Sequence, residues 1–255
     1  MKILWCLHGN LQLPTVWEPF RQELATITDL ELRTVDLWDT LADSCWDWAE
    51  RFCNQVRENG PNHHHYLLCY SLGGRLGWHS LITAPELWER AIIVSAGVGT
   101  EDTALRASYL SRDRIWAERF LQEPWEPLIK EWDDLPVFCG LPCPTLRREV
   151  SFERHKIAQG FLAYSQGRMD SLKAPILDLI IPTLYVTGQL DRKYARLGQQ
   201  LAEHHSHLTH VSISRAGHRV PWENPPRFIA ETLSFLKDPA VDSRSADGQN
   251  RKITP

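Results

Sequence analysis

Apolar positions along this chain follow two alternating rhythms. Short runs that are apolar at nearly every position occur at 2–9 (KILWCLHG), 61–71 (PNHHHYLLCYS), 89–97 (ERAIIVSAG) and 181–191 (IPTLYVTGQLD). Weaker ones occur at 30–38 (LELRTVDLW) and 208–218 (LTHVSISRAGH). Runs of this length bounded by turn residues read as strands buried on both faces. Between them lie stretches with apolar residues at helical spacing, at 15–27, 47–59, 73–88, 193–205 and 225–237. The strand-then-helix alternation predicts a mostly parallel sheet covered by helices on both faces. From Gly99 to about Leu177 the rhythm breaks. TALRASYLSRDRIWAERFLQEP (103–124) and PTLRREVSFERHKIAQGFLAY (144–164) read as helical, with no convincing strand between them. The expected organisation is a sheet domain formed by 1–99 and 177–237, with a helical cap at 100–176 inserted in it. The polar, aperiodic tail at 238–255 is expected to be disordered.

The end of the third apolar run carries the first chemical signal. In YLLCYSLGGRLGW a strand stops at Ser71 and a helical pattern with Gly73 and Gly74 begins at once. That is the outline of a nucleophile elbow, a sharp strand-to-helix turn that exposes a serine. The pattern G-x-S-x-G asks for glycine at 69, where this chain has Cys69, one of the smallest and most readily buried alternatives. Cys69 as the nucleophile is the rival reading, but its position puts it on the other face of the strand, away from the site.

Asp191 and His218 also sit at the C-terminal ends of expected strands, where open parallel sheets bind ligands. Each of the three is commonplace alone: a turn serine, a helix-capping aspartate, a loop histidine. Together, in the order Ser, Asp, His, they predict a catalytic triad of the α/β-hydrolase type. His218 would take the Ser71 proton and Asp191 would fix the imidazole tautomer. The backbone amides of Leu72 and Asn10 would form the oxyanion hole, and His8 reads as structural.

Four segments, CYSLGGR, SRDRIWAERFLQEPWEPLIKEWDDLPVF, TGQLDRKY and RAGHRVPWENP, resemble one α/β-hydrolase subgroup, the 2-succinyl-6-hydroxy-2,4-cyclohexadiene-1-carboxylate synthases of menaquinone and phylloquinone biosynthesis. The resemblance implies an α/β-hydrolase fold and a lyase that eliminates pyruvate from 2-succinyl-5-enolpyruvyl-6-hydroxy-3-cyclohexene-1-carboxylate by triad-assisted proton abstraction. It implies substrate contacts at Tyr70, Arg75, Arg106, Trp132 and Arg154. Arg75 fits equally a solvated helix position, and Trp132 a core position. The chain departs from the family at Cys69, at Tyr109, where a second cap arginine is usual, and at VDLWDTLADS, which replaces a D-x-P-G-H-G loop. Arg112 and Arg114 either compensate for the missing arginine or simply face solvent. The motif alone supports a carboxylic-ester hydrolase acting through an acyl-enzyme just as well. A non-catalytic binding protein is a third reading, disfavoured by the complete triad. Convergent guanidinium groups in the pocket would favour the polycarboxylate substrate over a neutral ester.

Composition narrows the partners. A net charge of -4 gives no support for nucleic-acid binding, and no stretch approaches a membrane span. Six cysteines without a C-x-x-C pair or a signal segment point to reduced thiols and a cytoplasmic protein. The histidines of NHHHY alternate faces on a strand and cannot converge on one ion, so neither metal nor other cofactor is expected. Eleven tryptophans exceed what such a core needs, and some are expected to line a pocket. The sequence leaves the oligomeric state open.

Overall fold

The computed structural model describes residues 1–143 and 145–237, so the tail expected to be disordered lies outside the described residues. Six strands alternate with helices: β1 (Lys2–Leu7), α1 (Glu18–Leu24), β2 (Leu30–Val35), α2 (Cys45–Asn59), β3 (His64–Tyr70), α3 (Leu72–Thr83) and β4 (Trp88–Val94). Then come α4 (Thr103–Gln122), α5 (Trp125–Asp133), α6 (Arg154–Ala163) and α7 (Lys173–Leu177). The sheet resumes with β5 (Thr183–Gly188), α8 (Arg192–His204), β6 (Leu208–Ile213), α9 (Val220–Glu223) and α10 (Pro225–Lys237). The strands form one parallel sheet in the order β2-β1-β3-β4-β5-β6.

The two-residue side-chain period of the strands sorts the core into two layers. Ile3, Trp5, Leu7, Leu67, Cys69, Ala91, Ile93 and Tyr185 pack on one face with Trp48 and Phe52 of α2 and Leu76 of α3. Leu4, Cys6, Leu68, Tyr70, Ile92, Val94, Leu184 and Val186 pack on the other with Phe20 of α1 and Phe228 of α10. Central strands are buried throughout because helices cover both faces. β2 and β6, at the edges, are buried at only two positions each. The strand order reverses direction between β1 and β3, so a crevice opens above the C-terminal ends of those two strands.

Between β4 and β5 the regular elements among the described residues are all helices. This segment carries a small core of its own, in which Trp116, Phe120, Trp125, Ile157 and Phe161 surround Leu11 from the loop after β1. Two details differ from the sequence expectation. Residues 145–148 are not helical, and α6 begins only at Arg154. The irregular run is pinned by side chains instead: the Arg147 carbonyl accepts from Trp125 Nε1 at 3.0 Å, and Phe152 packs on Trp125 at 5.2 Å. The sheet-side core also reclaims the chain before 177, since Met169, Leu172 and Ile176 belong to it. Most of the tryptophans serve packing; Trp17, Trp48, Trp78 and Trp125 are among the largest fully buried side chains. No described helix is long and apolar enough to cross a membrane.

His79 of α3 is buried, with Nδ1 against the Arg75 carbonyl at 2.7 Å and its ring edge-on to Trp46 at 4.5 Å. Burial pulls its pKa down from 6.5 to about 4. The folded chain therefore keeps this imidazole neutral at pH values where the unfolded chain protonates it. Stability is complete above about pH 6.5 and falls between there and about pH 4. Denaturant unfolding across this window should show a loss approaching ~1.4 kcal/mol per pH unit from this group, and His79→Gln should flatten the dependence.

Candidate active site

β3 ends at Tyr70, but pairing with β4 continues one residue further, where the Ser71 N–H donates to the Val94 carbonyl at 2.9 Å. Ser71 then takes φ 52° and ψ -107°, a strained left-handed turn, and α3 starts at the next residue. The turn is held by close approach: the Gly73 N–H donates to the His8 carbonyl at 3.0 Å. A Cβ at Gly73 would lie 2.5 Å from that oxygen and 2.6 Å from the Leu7 oxygen, so only glycine fits. The missing glycine at 69 is accommodated on the helix side. A Cβ on Gly77 would lie 2.7 Å from Cys69 Sγ, so the space has moved from the strand to α3. The Cys69 thiol is fully buried, and burial pushes its pKa well up. A thiol so placed is inert.

Ser71 Oγ lies 3.0 Å from His218 Nε2, and His218 Nδ1 lies 2.7 Å from Asp191 Oδ2. A carboxylate only accepts, so Nδ1 carries the proton and Nε2 is left to accept from the serine hydroxyl. The loops after β5 and β6 are stitched together, which brings Asp191 and His218 into register. The Leu190 N–H donates to the Ala216 carbonyl at 2.9 Å, and Gly188 leaves no room for a Cβ against the Ala216 and Gly217 carbonyls. The Gly217 N–H is held by Glu223 Oε2 at 2.6 Å. His218 and Asp191 are both buried, with Tyr194 and Tyr70 rings packed on the imidazole at 5.1 and 5.5 Å. His8 is buried away from this chain, its Nε2 accepting from the Leu37 N–H at 3.1 Å.

A cavity of about 450 Å³ lies above Ser71, walled on the far side by the helical insertion. Asn10, Leu72, Arg75 and Trp132 line it with Ser71, Asp191 and His218. Leu72 is the first residue of α3, so its N–H has no carbonyl four residues back in the helix. In the loop after β1, the Gly9 N–H is spent on Gln12 Oε1 at 2.9 Å and the Leu11 N–H on Asn10 Oδ1 at 3.1 Å.

Three residues expected from the family resemblance stand elsewhere. Tyr70 is buried beneath His218 and Trp222 and borders a separate niche beside Ser71, not the main cavity. Arg106 pairs with Asp170 at 2.9 Å and with the Gly167 carbonyl at 3.2 Å. Arg154 caps the end of α4, donating to the Phe120 and Glu123 carbonyls at 2.9 and 2.7 Å, and pairs with Glu149. Neither arginine borders the cavity. The cations that do, besides Arg75, are Arg112, Arg192 and Lys193. Arg112 stacks on Tyr109 at 5.0 Å and pairs with Asp113 at 2.7 Å. Lys193 Nζ donates to the Tyr109 hydroxyl at 3.2 Å. A helical signal for Arg112 was present: it precedes the buried Trp116 by four residues and shares its face, whereas Arg106 lies about 120° around α4. Arg114 faces a surface groove on the outside of α4.

The alpha/beta hydrolase family matches residues 6–232, and the chain belongs to it. Within that family the chain is similar to the 2-succinyl-6-hydroxy-2,4-cyclohexadiene-1-carboxylate synthase of Yersinia pseudotuberculosis serotype O:1b (strain IP 31758). The two are 29% identical over 243 residues, which cover 92% of this chain and 86% of the relative. The protein of the same name from Yersinia pestis (strain Pestoides F) is 28% identical over the same span. Among solved structures, MenH from S. aureus superposes with a TM-score of 0.83 at 23% identity, covering 92% of this chain and 93% of that one. An esterase from Thermogutta terrifontis superposes at 0.71 with 17% identity, covering 93% and 89%. At such identities the superpositions establish the shared fold.

The Cys69–Gly77 contact makes a direct test of the elbow. Gly77→Ala should destabilise the protein by about 1–3 kcal/mol through overpacking. Combined with Cys69→Gly, the loss should be clearly smaller than the sum of the single changes. Additive losses in thermal or urea unfolding would refute the steric compensation.

Proposed function

We propose that this protein is a 2-succinyl-6-hydroxy-2,4-cyclohexadiene-1-carboxylate synthase, a lyase of menaquinone or phylloquinone biosynthesis that releases pyruvate. The observation that carries the reading is the set of Arg75, Arg112, Arg192 and Lys193 around one cavity with the Ser71–His218–Asp191 chain at its floor. Arg112 pairs with Asp113 and Asp191 is bonded to His218, which leaves Arg75, Arg192 and Lys193 without an acid partner in the lining, a set that suits a substrate with three carboxylates. They suit a neutral ester poorly. The similarity to the Yersinia enzymes across nearly the whole chain supports the same assignment.

The reaction follows from substrate and product. His218 Nε2 draws the proton from Ser71 Oγ, and the resulting alkoxide removes the hydrogen on ring carbon 2, beside the succinyl ketone. The freed electron pair forms the 2,3 double bond, the former 3,4 pair moves to 4,5, and the bond from carbon 5 to the enolpyruvyl oxygen breaks. The departing enolate takes up a proton and becomes pyruvate. Negative charge that develops on the ketone oxygen falls to the Asn10 and Leu72 amides, each worth about 3 kcal/mol in comparable sites. Asp191 keeps the imidazole oriented and stabilises its cationic form. Arg75, held by the Tyr164 carbonyl, anchors a carboxylate one helical turn beyond the base.

Purified protein given the enolpyruvyl substrate should release pyruvate, read by a coupled dehydrogenase assay. Ser71→Ala should lose about a thousandfold or more in turnover with an unchanged fold. Arg75→Ala should lose about ten- to a hundredfold in kcat/KM, the value of one charged hydrogen bond, while Arg106→Ala should change it little. Turnover of p-nitrophenyl esters without pyruvate release would overturn the lyase in favour of a carboxylesterase.

A further inference from the structure

A second, much smaller cavity of about 20 Å³ lies beside the first. It shares Asn10 and Ser71 with the main cavity, and the rest of its wall includes Arg147, Arg219, Tyr70 and Thr145. The two guanidinium groups are almost wholly buried, with side chains 5% and 3% exposed. Both bond to the same carboxylate, Asp133, one to each oxygen. Arg219 is otherwise occupied: Nη1 donates to the Leu141 carbonyl at 3.3 Å and its plane lies 3.6 Å over the Phe138 ring. Arg147 is not, because its Nε–H is buried without an acceptor among the described residues. Glu223, the other acid near Arg219, lies outside the niche's wall; it spends Oε2 on the Gly217 N–H, its Oε1 is buried without a partner among the described residues, and burial raises its pKa.

An unmade hydrogen bond on a buried cation is costly, and the niche's wall holds two guanidiniums that share one carboxylate, Asp133, and no acid of its own. The Thr145 hydroxyl and Tyr70 phenol add possible donors to the same wall. The space admits one small species. Water satisfies the donor but not the charge, whereas an anion satisfies both.

We propose that this niche binds a small monovalent anion, a halide or a single carboxylate group, between Arg147, Arg219 and Ser71. An anion there closes the charge deficit left by Asp133. Arg219 follows His218 in the chain and Asp133 follows Trp132, so occupation also fastens the helical insertion to the histidine loop. The inference concerns binding and holds whichever substrate the main cavity takes.

Crystals of the full chain soaked in sodium bromide and measured at the bromine edge should show an anomalous peak within hydrogen-bond distance of Arg147 Nε. In solution, bromide should raise Tm by about 2–4 °C in a saturable manner. Arg147→Gln should abolish that rise, and Arg147→Lys, which keeps the charge but loses the Nε–H, should retain part of it. Should the glutamine variant fail to fold, the anomalous map and the lysine variant decide. Succinate that displaces the bromide identifies the source as a carboxylate arm of a main-cavity ligand, and bromide that stays identifies a free halide; either supports the site. Water in the niche at saturating bromide overturns it, as does a Tm rise identical in the wild type and Arg147→Lys. A peak that survives undiminished in Arg147→Gln, an adventitious ion only, also overturns it.

Discussion

Helix α3 leaves the sheet so close to β1 that its second residue touches the Leu7 and His8 carbonyls. Much of the site's geometry descends from this approach. It forces Ser71 into a left-handed turn, which lifts the hydroxyl off the sheet toward His218. It ties the loop after β1 to the start of α3 through the Gly73–His8 hydrogen bond, which places the Asn10 and Leu72 segments side by side. The strand order makes the approach possible, because β1 and β3 are neighbours whose following connections run to opposite sides. Cys69 shows how the constraint is distributed. The room that a glycine usually leaves in the strand is found at Gly77 instead, so the crossing tolerates a larger residue at 69.

The sheet, the elbow and the Ser71–Asp191–His218 order were legible because each has a local signature. A buried parallel strand is a dense apolar run, and the residues that end it are the ones that face the crevice. The cavity's cations were less legible. Arg106 and Arg154 stand at positions expected from family resemblance, but their partners lie far off in sequence: Asp170 for one, the last carbonyls of α4 for the other. Whether an arginine on an amphipathic helix faces a cavity or a neighbouring backbone depends on tertiary packing, which the spacing on one helix under-determines. Arg112 had been left open between cavity and solvent; it lines the cavity while staying half exposed, and its phase with Trp116 was the signal available for it. Arg192 and Lys193 sit in the first turn of α8, directly after Asp191, and reach the cavity because the strand end positions that whole turn.

The tryptophan excess has a structural explanation. Trp48 stacks on Phe52 on one face of the sheet, Trp17 packs with Phe20 on the other, and Trp116 and Trp125 fill the core of the helical insertion. Only Trp132 among the described tryptophans reaches the main cavity. Large rings give the insertion a core of its own without a strand. That lets the roof of the cavity be built from helices, with Arg112 of α4 among its lining.

Leu11 connects roof and floor. It takes φ 52° in the loop after β1, is completely buried, and packs among Trp116, Phe120 and Ile157 of the helical insertion. The insertion cannot lift without exposing that leucine to water or dragging the loop along with it. The amide of Asn10, one residue earlier, would move with the loop. One leucine thus couples the position of the roof to that of the Asn10 backbone at the cavity's edge.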